Sequence, residues 1–316
     1  MERCPHPNCF ADDNTTCTLG HIKLESCPEW RGISQAAAIP SSDSSEMLLP
    51  WSGLAMGEHD LAFISGRVKP ITIGIVGPES AGKTTILGAF YLLLGRGGLT
   101  TDEASFSSSY TLAGWEAVAT CLRWKPGQSP HFPPHTPSRA ARAPGMLHLG
   151  FRRQDGSLRD VVFADAPGEW FQKWAINEQA ADAEGARWIA RHADVTLLIA
   201  DRQALAGPKM GTARNNFQLL AQRTVAESHG RRLALVWTKG DVEVAPAMEA
   251  QIKSALATKA SSVPEFTVSV YPRGELDPAE GFRELFNWIL STKRAAVNLP
   301  MTEASGHDPL FRFGRR

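Results

Sequence analysis

Neither sign of charge prevails in this chain: 33 Lys+Arg stand against 33 Asp+Glu, the formal net charge is zero and the pI is about 7.1. A protein whose main task is to neutralise phosphate backbones needs a basic face, so the balance argues against nucleic acid as the principal partner. Long apolar runs are missing too. The richest, Ala89 to Leu94, falls well short of the roughly 18 residues of a membrane-spanning helix and runs into Gly95 and Arg96. The opening MERCPHPNC lacks the basic-then-apolar order of a secretory signal. These absences lead to the expectation of a cytoplasmic protein with no membrane span. Apolar residues in general are not scarce: 43% of the 316 residues are hydrophobic and 21% charged, enough for a sizeable core. The length suggests one large domain with an appendage.

Cysteine is rare beyond the head of the chain. Four of the five, Cys4, Cys9, Cys17 and Cys27, fall in the first 27 residues, together with His6 and His21. In a reducing compartment such a cluster is better explained by metal than by disulfides, because thiolate is a good zinc ligand and so short a segment has little core of its own. The expectation is a Zn²⁺ site held by Cys4, Cys9, Cys17 and either Cys27 or His21. The bland alternative is a loop-rich head with free thiols. Cys121 lies among Ala, Val, Leu and Trp and is expected in the core.

The Ala- and Ser-rich stretch Ala36 to Glu46 has no period and reads as a linker. Apolar residues return between Leu48 and Arg67, which should pack onto the main domain. Strand-like runs then alternate with helical segments: Ile71 to Val76, Val161 to Ala164, Val195 to Ala200, Leu233 to Trp237 and Phe266 to Val270. That alternation predicts an α/β fold with a doubly wound, mostly parallel sheet. Met146 to Phe151 should pair with Val161 to Ala164 through a hairpin at Gln154, Asp155 and Gly156, and Glu280 to Leu290 has one apolar helical face. The expected organisation is a Cys-rich segment (1–35), a linker and packing segment (36–66), a nucleotide-binding domain (67–292) and a tail (293–316).

Between the first strand and the helix beginning near Lys83 lies GPESAGKTT, which is Gly77, Pro78, Glu79, Ser80, Ala81, Gly82, Lys83, Thr84 and Thr85. It fits the phosphate-binding loop G-x-x-x-x-G-K-[ST] in its required strand, loop and helix context. The glycines let backbone N–H groups wrap phosphates at a helix N-terminus. Lys83 is expected on the β and γ phosphates and the Thr84 hydroxyl on Mg²⁺. The later strand ending in VVFADAPGEW brings Asp165, suited to Mg²⁺, and Gly168, whose N–H can meet a γ-phosphate. Glu169 stands where a water-orienting Gln is common; its charge would repel the γ-phosphate, so unaided hydrolysis should be slow.

The strand Leu233 to Trp237 leads into Thr238, Lys239, Gly240 and Asp241. The Asp241 carboxylate can accept from guanine N1–H and N2–H₂, donors that adenine does not offer, and Lys239 would lay its stem over the base. Ser269 and Val270 occupy the place of a loop closing on the guanine oxygen, although Ser-Val-Tyr departs from the Ser-Ala-Lys usual there. A first switch needs a Thr on Mg²⁺; Thr100, Thr101, Thr111 and Thr136 are candidates. Thr136, in a Pro-rich aperiodic loop, is favoured. Arg139 and Arg142 follow it and would either supply charge in cis or be merely solvated.

These motifs, with SYTLAGWEA (Ser109 to Ala117), FPPHTP (Phe132 to Pro137), PGMLHL (Pro144 to Leu149), DAPGEWF (Asp165 to Phe171) and GARWIARHAD (Gly185 to Asp194), make Trp51 to Asp241 resemble TRAFAC GTPases, and more closely the bacterial double-GTPase family of predicted conflict systems. The resemblance implies a GTP-hydrolysing switch that binds GTP and GDP with Mg²⁺ and acts with a second GTPase or an effector. Two other readings remain: an ATPase with Asp165 or Asp201 as the Mg²⁺-side acid, and a nucleotide-stabilised scaffold with a zinc head. A last expectation concerns Trp170, Phe171 and Trp174: one nucleotide state should present them to a partner, unless they are fixed core residues.

Overall fold

The computed structural model describes residues 55–66, 68–99, 104–123, 125–127, 131–133, 145–257, 263–272 and 277–293. Cys4, Cys9, Cys17, His21, Cys27, Thr100, Thr101, Thr136, Arg139, Arg142 and the tail from residue 294 onward lie outside them.

Hydrophobic run length decides the strands. β1 (Ile71–Val76) and β5 (Val195–Asp201) are buried at every position, as strands covered on both faces must be. β4 (Leu158–Asp165) pairs with β1 in parallel, Ile71 opposite Val161, and β1 pairs with β5, Ile73 opposite Val195. β6 (Arg232–Thr238) continues the sheet beside β5, and the short β7 (Glu265–Thr267) follows beside β6, both parallel. On the other flank β3 (Gly145–Arg153) runs antiparallel to β4, with Asp155 Oδ1 accepting the Ser157 N–H inside the expected hairpin at 2.8 Å. The sheet among the described residues has seven strands, in the order β2, β3, β4, β1, β5, β6, β7.

Two features differ from the sequence reading. The outermost strand β2 (Ala104–Ser108), antiparallel to β3, was not expected: its sequence ASFSS lacks an apolar run, and only one edge of it is paired, with β3. The last strand stops at Thr267 rather than Val270, because the chain bends into a loop in which Val268 N–H donates to Trp237 O and Gly240 N–H to Val268 O.

Helices cover both faces. On one lie α2 (Lys83–Gly95), α3 (Leu112–Thr120) and α9 (Pro278–Leu290), which bury Phe90, Trp115, Phe282 and Phe286 against Phe163 and Phe151. Asp277 caps α9 by accepting the Ala279 N–H at 2.9 Å. The string SYTLAGWEA is anchored to β3: Tyr110 N–H donates to His148 Nδ1 at 3.1 Å, His148 N–H to Thr111 Oγ1 at 2.8 Å, and Trp115 Nε1 to His148 O at 2.9 Å. Cys121, just past α3, is buried as expected, and burial pushes its thiol above the ordinary range.

The opposite face carries α4 (Gly168–Ile176), α5 (Glu184–His192), the short α6 (Arg202–Ala206), α7 (Met210–Ser228) and α8 (Pro246–Ala257). Their core includes Phe171, Trp174, Ile189, Leu220 and Ile252. Of the segment before β1, residues 55–66 are described: Ile64, on α1 (Glu58–Ser65), is buried in this core, and Met56 bridges to Met146. No helix among the described residues is long and apolar enough to cross a membrane.

Candidate nucleotide site

Five parallel strands end on one edge of the sheet, and the loops leaving β1, β4, β5 and β6 meet there, as ligand loops do in open α/β sheets. The loop after β1 has the backbone geometry of a phosphate cradle as well as the sequence pattern of one. Gly82 takes a left-handed φ of 82° as N-cap of α2, and Ser80 also has positive φ, 58°. Successive amides in such a conformation turn inward. Lys83, 6% exposed, donates from Nζ to Pro78 O at 2.9 Å and to Gly77 O at 3.2 Å. Burial holds its amine below the ordinary lysine range, against the opposing pull of Asp165 and Glu79.

Asp165, 1% exposed at the end of β4, accepts from Thr84 Oγ1 at 3.0 Å through Oδ2 and from the Ala166 N–H at 2.9 Å through Oδ1. Burial pushes its carboxyl above the ordinary range, the nearby Lys83 notwithstanding. A buried hydroxyl and a buried carboxylate with nothing softer between them make a donor set suited to a hard cation such as Mg²⁺. Gly168 presses directly on the phosphate loop. A Cβ there would stand 2.1 Å from Glu79 N and 2.5 Å from Pro78 C, so only glycine admits this approach.

On the far side of the cradle, Thr238 Oγ1 donates to Ala81 O at 2.8 Å and ties the two loops together. Lys239 has φ 54° and forms an ion pair with Asp201 at 2.8 Å. Ser269 Oγ donates to Asp241 Oδ1 at 2.7 Å and accepts the Tyr271 N–H at 3.2 Å. The Ser-Val-Tyr loop therefore holds the Asp241 carboxylate even though it departs from Ser-Ala-Lys.

One cavity of about 520 Å³ joins these parts. Ser80, Ala81, Gly82, Lys83, Thr84 and Thr85 line its phosphate end, with Gly168; Thr238, Lys239, Asp241, Ser269 and Val270 line the other. Gly77, Pro78, Glu79 and Asp165 support the cradle from outside the lining, and Glu169, the second residue of α4, does not line it either. Thr111, one of the candidate switch threonines, is 4% exposed beside His148 and takes no part in the cavity.

Two contributors were not singled out for a role in the sequence, and a third was considered for a different one. Phe132 and Tyr271 line the cavity and meet edge to face, ring centroids 5.8 Å apart. Neither sits in a periodic pattern that would have marked it. Asp201, considered only as a metal-side acid, is instead the partner of Lys239; its N-cap place between a strand and a helix is the signal that was visible.

The expected presentation of Trp170, Phe171 and Trp174 is not what the structure shows. They are 6%, 0% and 1% exposed, packed in the core on the buried face of α4. Large rings gain too much from burial to sit on a loose segment.

No curated protein matches this chain. Among solved structures, a variant of Aquifex aeolicus Era bound to GDP.AlF4- is 18% identical, with a TM-score of 0.32, over 63% of this chain and 50% of that one. Era in complex with MgGDPNP and nucleotides 1506-1542 of 16S ribosomal RNA is likewise 18% identical, TM-score 0.32, over 63% of this chain and 51% of that one. This chain thus spans about half the length of those structures. The family profile Double-GTPase 2 matches residues 71–289, from the first buried strand to the last helix, and so takes in every loop that lines the cavity. The chain belongs to the Double-GTPase 2 family.

Proposed function

We propose that this protein is a GTP-binding and GTP-hydrolysing switch. The observation that carries the reading is that one cavity is lined both by the phosphate cradle and by a carboxylate able to read guanine. Its volume suits a nucleotide-sized ligand. In this reading the amides of Ser80 to Thr85 and the Lys83 amine hold the phosphates, Asp241 accepts from the guanine edge, and Thr238 keeps the two loops in register. Thr84 and Asp165 hold Mg²⁺, with Thr136 joining them from the first switch. Bound there, the ion would offset phosphate charge and polarise the γ-phosphate. The Gly168 N–H faces the γ-phosphate, and the Glu169 carboxylate orients water only weakly against that charge, so turnover without a partner is slow.

The partner in this proposal is a protein, either a second GTPase or an effector, in a bacterial conflict system of the kind that the sequence resemblance implies. The cysteine-rich head holds one Zn²⁺ through Cys4, Cys9, Cys17 and Cys27 or His21. Elemental analysis of protein prepared without chelator is expected to find about one zinc per chain; zinc-free protein overturns that part.

Titration with GTP, GDP and ATP in Mg²⁺ tests the main claim. GTP and GDP should bind far more tightly than ATP, and Asp241→Ala should weaken GDP by about 1.5–3 kcal/mol, the scale of charge-assisted hydrogen bonds. Equal affinities for GTP and ATP overturn the guanine reading. Single-turnover hydrolysis by the wild type, absent in Lys83→Ala, separates a switch from a scaffold.

A further inference from the structure

Asp201 is 7% exposed, and both of its oxygens are engaged. Oδ1 accepts from the N–H of Gln203 at 2.9 Å and of Ala204 at 3.3 Å, capping α6. Oδ2 accepts from Lys239 Nζ at 2.8 Å. Lys239 lines the nucleotide cavity, whereas Asp201 lines a second cavity of about 440 Å³ behind it, which Lys239 also borders. The ion pair is thus part of the partition between the two. The Lys239 ammonium is drawn to the far side of that wall, and the four-carbon stem is left to cross it. The backbone contributes as well: Lys239 holds a left-handed φ of 54°, which is unfavourable for a non-glycine residue and persists only where the surroundings enforce it.

We propose that Asp201 is a positioning residue for nucleobase recognition. It holds the Lys239 ammonium outside the base pocket and so lays the methylene stem flat against the face of the purine whose edge Asp241 reads. The inference rests on the nucleotide reading above and adds to it the device that aims Lys239. A lysine stem otherwise samples many rotamers, and a free ammonium seeks water rather than lying beside an apolar ring face. The same geometry separates Asp201 from metal binding: its second oxygen is taken by a cation of the chain itself, while Thr84 and Asp165 bond to each other elsewhere in the site.

Asparagine divides the two jobs of this side chain. It is as good an N-cap as aspartate, so Asp201→Asn keeps the cap on α6 and loses only the charge that holds Lys239. Calorimetry on the full chain compares GDP and ADP binding to wild type, Asp201→Asn, Lys239→Ala and the double variant, alongside thermal unfolding without nucleotide and a Mg²⁺ titration at fixed GDP. The expected result is GDP affinity about tenfold weaker in Asp201→Asn, a double variant no weaker than Lys239→Ala alone, and an unchanged unfolding midpoint and Mg²⁺ midpoint. Wild-type affinity in Asp201→Asn, losses that multiply in the double variant, or a shifted Mg²⁺ midpoint each overturn the proposal. Failure of the guanine reading has a different signature: equal affinity of the wild type for GDP and ADP. The coupling is then read on either nucleotide, because stem packing on a ring does not depend on the base edge. A wild type that binds neither nucleotide overturns both.

Discussion

Two side chains at the phosphate end of the cavity are held against their own charge. Asp165 and Lys83 attract each other, yet burial dominates both, raising the carboxyl and lowering the amine. For Asp165 the folded chain keeps a proton at pH values where the unfolded chain has lost it. Its contribution to stability is therefore fully present below the ordinary carboxylate range and is lost as the pH rises through the raised folded value. Wherever the pH is high enough to ionise it, the buried carboxylate is a net burden on the fold. Asp165→Asn, which keeps an oxygen for the Ala166 N–H, should raise the unfolding midpoint of the nucleotide-free protein by roughly 2–4 °C, about 1 kcal/mol for a chain of this size. The same variant should lose most of its Mg²⁺-dependent GTP affinity. Calorimetry with and without MgGTP reads both effects, and a destabilised nucleotide-free variant would contradict the argument.

Among the elements, α4 departs most from what its sequence suggested. Its first residue touches the phosphate loop, and its aromatic side chains are locked into the core. Phe171→Ala should cost about 3–5 kcal/mol in denaturant unfolding, the usual price of a deleted core ring; a loss below about 1 kcal/mol would mean that the helix is only loosely docked. Elements with contiguous chemistry were legible in advance. β1 and β5 are mostly apolar runs, and the strings GPESAGKTT and TKGD hold the residues proposed for phosphate and base recognition side by side. What the chain assembles across distance was not legible. β2 is mostly polar and owes its existence to β3 and the sheet edge. The Phe132–Tyr271 contact and the Asp201–Lys239 pair each join loops far apart in sequence, where no periodicity registers them. The aromatic residues of α4 were visible as residues, but the same i, i+1, i+4 spacing serves a presented face and a buried one, and only packing decides.

At the scale of the molecule, the described residues that line the cavity run from Ser80 to Phe282 within one sheet and its loops. Removing residues 1–54 should leave GDP affinity unchanged; a clear loss would show that the head contributes to the site. The contact between Gly168 and the phosphate loop has a mechanical consequence. With its aromatic face embedded, α4 would carry any tilt along its whole length, as a stiff rod does. At 1.5 Å rise per residue its far end, Ile176, lies about 12 Å from the fulcrum, so a tilt of about 10° swings it by about 2 Å. Ile176 is 76% exposed, which places an oily tip in solvent at the end of the arm. Any such tilt would leave the cradle end in place and be felt most on the outside of the protein.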